Sequence, residues 1–172
     1  MQERAGAVTF KGNPLTLIGP EIKSGDKAPD FKVIAQDLSE KSWQDLFEHK
    51  PTLLSAVPSL DTGICDAETR RFNEEAGKFG DQVKVITISV DLPFAQKRWC
   101  GAAGIENVEV LSDHRDLSFG NQYGCHVKEL RLLSRAVFVV DAEGVVRYVE
   151  YVPEIAQHPD YDSALNALKA LL

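Results

Sequence analysis

Two hydrophobic runs constrain this chain more than any other feature. Thr52-Leu53-Leu54-Ser55-Ala56-Val57 is almost continuously apolar, as expected of a strand covered on both faces. Val83-Lys84-Val85-Ile86-Thr87-Ile88-Ser89-Val90 is rich in β-branched residues and reads as another core strand. Between them, from Cys65 to Phe79, the period changes. Phe72, Ala76 and Phe79 fall at i, i+4 and i+7, and Gly80 follows as a terminator. A strand, a helix and a second buried strand in succession call for a sheet with helices on its faces. With 172 residues, 44% of them hydrophobic, the chain suits one domain (residues 1–172) with a real core, and disorder is excluded.

The remaining segments extend this α/β pattern. Val8-Thr9-Phe10 and Leu15-Thr16-Leu17 flank Lys11-Gly12-Asn13-Pro14 and read as an N-terminal β-hairpin over about 7–18. Phe31 to Ala35 is a strand, Trp43 to Phe47 a short turn of helix. Pro93 suits the first turn of a helix reaching about Ala103, which Gly104 ends. Val108 to Leu111 is a short strand and Leu117 to Tyr123 a short helix. Ala136–Val140 and Val145–Tyr151 flank Asp141-Ala142-Glu143-Gly144 as a hairpin. Asp160 can cap a last helix carrying Ala164, Leu165, Leu168, Leu171 and Leu172. The order predicts a mixed central sheet flanked by helices. A strand–helix–strand unit closed by a hairpin and a helix is a thioredoxin-like arrangement.

Charge and patterning remove several classes of function. The formal charge of −7 has the wrong sign for a non-specific nucleic-acid binder. No run approaches the roughly 20 apolar residues that span a bilayer. The first residues, Met1-Gln2-Glu3-Arg4-Ala5-Gly6, contain no apolar export segment, so a cytoplasmic protein is expected.

Three cysteines, Cys65, Cys100 and Cys125, are too few for a disulfide scaffold in a chain this long. Cys65 stands out by position. The strand ending at Val57 meets Pro58, a polar loop follows, and a helix begins with Cys65 in its first turn and Thr62 as its N-cap. A thiolate there would face unpaired backbone N–H groups and the positive end of the helix dipole. A small packed thiol is the competing reading, and local features alone leave the two about even. Cys100, inside its helix beside Trp99, reads on its own as core packing. Arg135 precedes an apolar strand, which suits a surface ion pair as well as a site residue.

Four separated motifs resemble one family. Pro58-Ser59-Leu60-Asp61-Thr62-Gly63-Ile64-Cys65 is similar to the active-site loop of peroxiredoxins, and Ala28-Pro29-Asp30-Phe31 to the same superfamily's N-terminal strand. Asp91 to Gly101 resembles the resolving-cysteine helix of the bacterial thiol peroxidases, atypical two-cysteine members of that family. Ser134 to Asp141 resembles the strand carrying the family's arginine, and Pro159-Asp160-Tyr161 fits the opening of the last helix. Two positions depart: Trp99 stands where phenylalanine is expected, and Cys125 where the residue is usually aliphatic.

The resemblance implies a peroxidase acting on hydrogen peroxide and organic hydroperoxides. It makes Cys65 the peroxidatic cysteine and Cys100 the resolving one, joined in an intramolecular disulfide. Thr62 would hydrogen-bond the peroxide, Arg135 would stabilise the thiolate and the polarised O–O bond, and Pro58 would shield the pocket. It further implies a homodimer reduced by thioredoxin, with no cofactor and no metal. Leu60 and Phe94 are expected near the pocket and favour organic substrates.

Other readings fare differently. A thioredoxin-like disulfide reductase needs Cys-x-x-Cys, but the position three after Cys65 is Glu68. Cys125 and His126 are adjacent and point apart on a regular element, a poor start for a metal site. A non-enzymatic redox sensor on the same scaffold would use the same two cysteines and stays open.

Overall fold

The computed structural model describes residues 1–172. A seven-stranded mixed sheet forms its centre. Strands β5 (Thr52–Ala56), β6 (Lys84–Ser89) and β7 (Glu109–Ser112) run parallel at its middle. On one side β10 (Ala136–Val140) and β11 (Val146–Tyr151) add antiparallel. On the other, β3 (Lys32–Ile34) pairs antiparallel with β7, and β4 (Glu40–Ser42) closes the edge. A separate four-stranded antiparallel sheet joins β1 (Glu3–Phe10), β2 (Asn13–Ile18), β8 (His126–Val127) and β9 (Leu132–Leu133).

Each central strand buries both faces, and its alternating residues divide two cores. Leu54, Ala56, Ile86, Ile88 and Phe138 face a cluster with Phe31, Trp43, Phe119 and Tyr123. Leu53, Val85, Val110, Val137 and Val139 face the helices α2 (Gly63–Phe79), α3 (Pro93–Ala103) and α5 (Tyr161–Lys169). In α2 the inward stripe is Cys65, Glu68, Thr69, Phe72 and Ala76. Two short helices, α1 (Trp43–Leu46) and α4 (Ser118–Gln122), and a 3-10 turn at Gly80–Gln82 complete the chain.

Several boundaries differ from expectation for local reasons. The N-terminal hairpin starts at Glu3, because a register shift between Arg4 and Val8, with Gly6 at φ +67°, breaks the alternation that marks a strand. Strands β4, β8 and β9 have two or three residues, too few for any period to show. Leu172 is exposed, beyond the last buried turn of α5.

Candidate active site

The end of β5 leads through Val57 and Pro58 into a loop that turns on side-chain hydrogen bonds. Asp91, just after β6, accepts from Ser59 Oγ (2.7 Å), the Leu60 backbone N–H (2.8 Å) and Ser89 Oγ (2.7 Å). Thr62 Oγ1 donates to the Ser59 carbonyl (3.1 Å) and accepts from the Cys65 N–H (3.3 Å). Thr62 is therefore the N-cap of α2, in extended conformation at φ −92°, ψ 147°. The cap fixes Cys65 in the first turn.

Cys65 is fully buried, and its Sγ accepts from one Arg135 guanidinium nitrogen at 3.3 Å. The same guanidinium donates to Glu68 Oε1 (3.0 Å) and, through Nε, to the Ile155 carbonyl (2.9 Å). Glu68 Oε2 in turn accepts from Ser55 Oγ at 2.5 Å. Arg135 is 2% exposed and Glu68 0%, which excludes the surface ion pair that the sequence left open for Arg135. Burial pushes the Glu68 carboxyl up, while the Arg135 charge beside it pulls it down. Arg135 itself is held charged by Cys65 and Glu68 against its own desolvation.

A cavity of about 510 Å³ opens beside this cluster. Pro58, Thr62 and Arg135 line it together with Phe10, Ile64, Ala67, Leu132 and Ile155, so a polar end meets an apolar wall. The expected Leu60 and Phe94 are absent from that wall. Leu60 packs in the helix-facing core and Phe94 is exposed on α3, because the loop bonded to Asp91 turns Leu60 inward. The apolar lining comes instead from the N-terminal hairpin, α2, β9 and the segment before α5.

Cys100 opens the last turn of α3, 9% exposed, and its sulfur accepts from Gln36 Nε2 at 3.6 Å. Burial pushes its thiol up, with the Gln36 amide pulling the other way. It lines a different cavity, about 720 Å³, that shares no residue with the first. All three cysteines are free thiols. Cys125 is wholly enclosed in the large core, and burial raises its thiol well above the usual range.

Two participants escaped sequence reasoning. Glu68 stands where a disulfide reductase would carry its second cysteine, and a charged residue in the inward stripe of α2 is a signal in itself. Asp91 carries no such signal, since the loop residues that it holds, Ser59 and Leu60, lie about thirty positions away in the chain.

A buried thiol at a capped helix start, an arginine against its sulfur and an adjoining apolar cavity define a thiol-redox protein on an α/β scaffold. The Redoxin family model matches residues 23–165. A thiol peroxidase of Bacillus subtilis is 60% identical over 165 residues, covering 96% of this chain and 98% of that protein. A thiol peroxidase of Staphylococcus aureus is 56% identical, covering 94% and 97%. The crystal structure of a peroxiredoxin-like protein from Aquifex aeolicus superposes with a TM-score of 0.90 at 44% identity, over 98% of both chains. The chain belongs to the Redoxin family, among its thiol peroxidases, and has the thioredoxin-like fold.

Proposed function

We propose that Cys65 is the nucleophile with which this thiol-dependent peroxidase reduces hydroperoxides, and that Thr62, Arg135 and Pro58 hold the peroxide against it. The observation that carries this reading is the 3.3 Å contact between the Arg135 guanidinium and Cys65 Sγ, made where both side chains are buried. In the reaction the thiolate attacks one peroxide oxygen. The S–O bond forms as the O–O bond breaks, the sulfur becomes a sulfenic acid, and the departing oxygen takes a proton to leave as water or an alcohol.

Activating a thiol by acidity alone gains little. Shifting a thiol from about 8.5 to about 6 raises the thiolate fraction roughly 30-fold at pH 7, but a Brønsted slope of about 0.4–0.5 returns roughly 10–18-fold. Speed must come from groups aimed at the charge that develops on the leaving oxygen, each typically worth about 100–1000-fold. Arg135 has the required charge and rigid placement. Thr62 spends its proton on the Ser59 carbonyl, so its remaining lone pair is suited to accept from the peroxide O–H. Pro58 brings no N–H into the cavity and keeps that end dry.

Cys100 then condenses with the sulfenic acid to give an intramolecular disulfide, which thioredoxin reduces. The two sulfurs now have different partners, Arg135 and Gln36, so both contacts break before they can join. The apolar wall supports organic hydroperoxides as substrates alongside hydrogen peroxide. The active form is a cytoplasmic homodimer, and no helix of the chain is long and apolar enough to cross a membrane.

Stopped-flow oxidation of reduced protein by hydrogen peroxide tests the first step. A rate no better than free cysteine, with slow disulfide formation, would favour a redox sensor. Mass spectrometry after one equivalent of peroxide tests the second: a Cys65–Cys100 linkage is expected, and a Cys65–Cys125 linkage would reassign the resolving role. Light scattering on the eluted protein tests the dimer.

A further inference from the structure

Helix α2 grips α3 along one stripe. Asp66, directly after Cys65, accepts from the indole N–H of Trp99, directly before Cys100, at 2.9 Å. The other Asp66 oxygen accepts from Arg70 Nε at 2.9 Å, and the Arg70 guanidinium lies 5.8 Å over the Trp99 ring. One turn on, Asn73 Oδ1 accepts from the backbone N–H groups of Glu106 and Asn107 (3.1 and 2.8 Å), just past the end of α3. Residues 66, 70 and 73 share a helix face. The tooth nearest the chemistry therefore ties together the immediate neighbours of both cysteines. A phenylalanine at position 99 would keep an aromatic ring there, a smaller one, without the N–H.

We propose that the Asp66–Trp99 hydrogen bond is a latch that sets how long oxidised Cys65 waits before Cys100 reaches it, making Trp99 and Asp66 positioning residues for resolution. This inference rests on the assignment of Cys65 and Cys100 above. Two fates compete for the sulfenic acid. In one, Cys100 sulfur attacks Cys65: the S–S bond forms, the S–O bond breaks, and the oxygen leaves as water with the thiol proton. In the other, the sulfenate attacks a second hydroperoxide: a second S–O bond forms, the peroxide O–O bond breaks, and the products are a sulfinic acid and water or an alcohol. The first needs α2 and α3 to part locally, and the second needs only time. A closed latch favours the second at high peroxide.

The test is rapid-quench mass spectrometry of reduced protein treated with hydrogen peroxide, counting sulfenic, disulfide and sulfinic forms. Trp99→Phe should form the Cys65–Cys100 disulfide about fivefold faster and accumulate correspondingly less sulfinate, with the rate of Cys65 oxidation unchanged. Asp66→Ala should do the same to resolution, Asp66→Asn should restore it because an acceptor oxygen remains, and the double variant D66A/W99F should add nothing to either single one. Resolution at the wild-type rate in W99F and D66A would overturn the latch while leaving the peroxidase reading intact. Absence of a Cys65–Cys100 disulfide in the wild type would overturn the assignment of Cys100 and the latch with it.

Discussion

Arg135 donates to Glu68 at 3.0 Å in a place that water does not reach. The pair ties the segment entering β10 to the helix that carries the thiol, and Ser55 and the Ile155 carbonyl complete its hydrogen bonds. A buried ion pair is costly to break from one side, because the survivor is left charged and unpaired.

Removing Glu68 should therefore harm the fold as well as the chemistry. Glu68→Ala should lose about 3–5 kcal/mol in urea denaturation, and Glu68→Gln distinctly less because its amide still offers an acceptor to Arg135. A Glu68→Ala protein as stable as the wild type would mean that water or another anion compensates the guanidinium.

Arg135→Met should slow Cys65 oxidation by about 100–1000-fold in stopped-flow measurements, the usual effect of deleting one donor aimed at developing charge. Combining it with Glu68→Gln removes the stranded carboxylate and should recover stability without recovering the rate.

Asp91 holds the loop from a distance. Asp91→Ala leaves Ser59 Oγ, Ser89 Oγ and the Leu60 N–H without their acceptor, so peroxide reactivity should fall by roughly tenfold while Cys100 keeps its surroundings. Alkylation rates of the two thiols, followed separately, would check this: only that of Cys65 should change.

The apolar wall should discriminate among substrates. Leu132→Ser should raise KM for a bulky aromatic hydroperoxide by about fivefold and leave hydrogen peroxide nearly unaffected, since only the large substrate covers that side chain. Steady-state kinetics with both peroxides would decide it.

Asp113 gives a pH dependence of known sign. It is 2% exposed and accepts from the N–H groups of Phe119 and Gly120 (3.1 and 2.8 Å), yet burial pushes its carboxyl up to about 7. The folded state thus holds this proton more tightly than the unfolded chain. Its contribution to stability is fully present below about pH 4, where the unfolded carboxyl titrates, and is lost as pH rises through about 7, by up to about 4 kcal/mol. Wild type measured against Asp113→Asn by denaturation at pH 4.5 and 7.5 should lose ground at the higher pH.

How much of this was legible in the chain depended on the range of the interactions. The central strands and α2 followed from hydrophobic period, and Thr62 from the chemistry of a cap, because those signals are local. Leu60 was misplaced because Asp91, more than thirty positions on, decides which way the loop turns. The placement of Arg135 beneath Cys65 depends on β10 pairing with β5, a contact between residues some eighty positions apart, and only the family resemblance pointed there. Glu68 and Ser55 stand only 13 positions apart, yet they meet through the packing of α2 on β5, which no period in the sequence displays.

The enclosure of Cys125 has a practical consequence. Cys65 is as buried but adjoins a cavity, whereas Cys125 lines neither that cavity nor the one at Cys100, so a thiol reagent in excess reaches that sulfur only as fast as the surrounding core opens. The third thiol is thus an internal clock for that opening, readable in the same sample that reports on the other two.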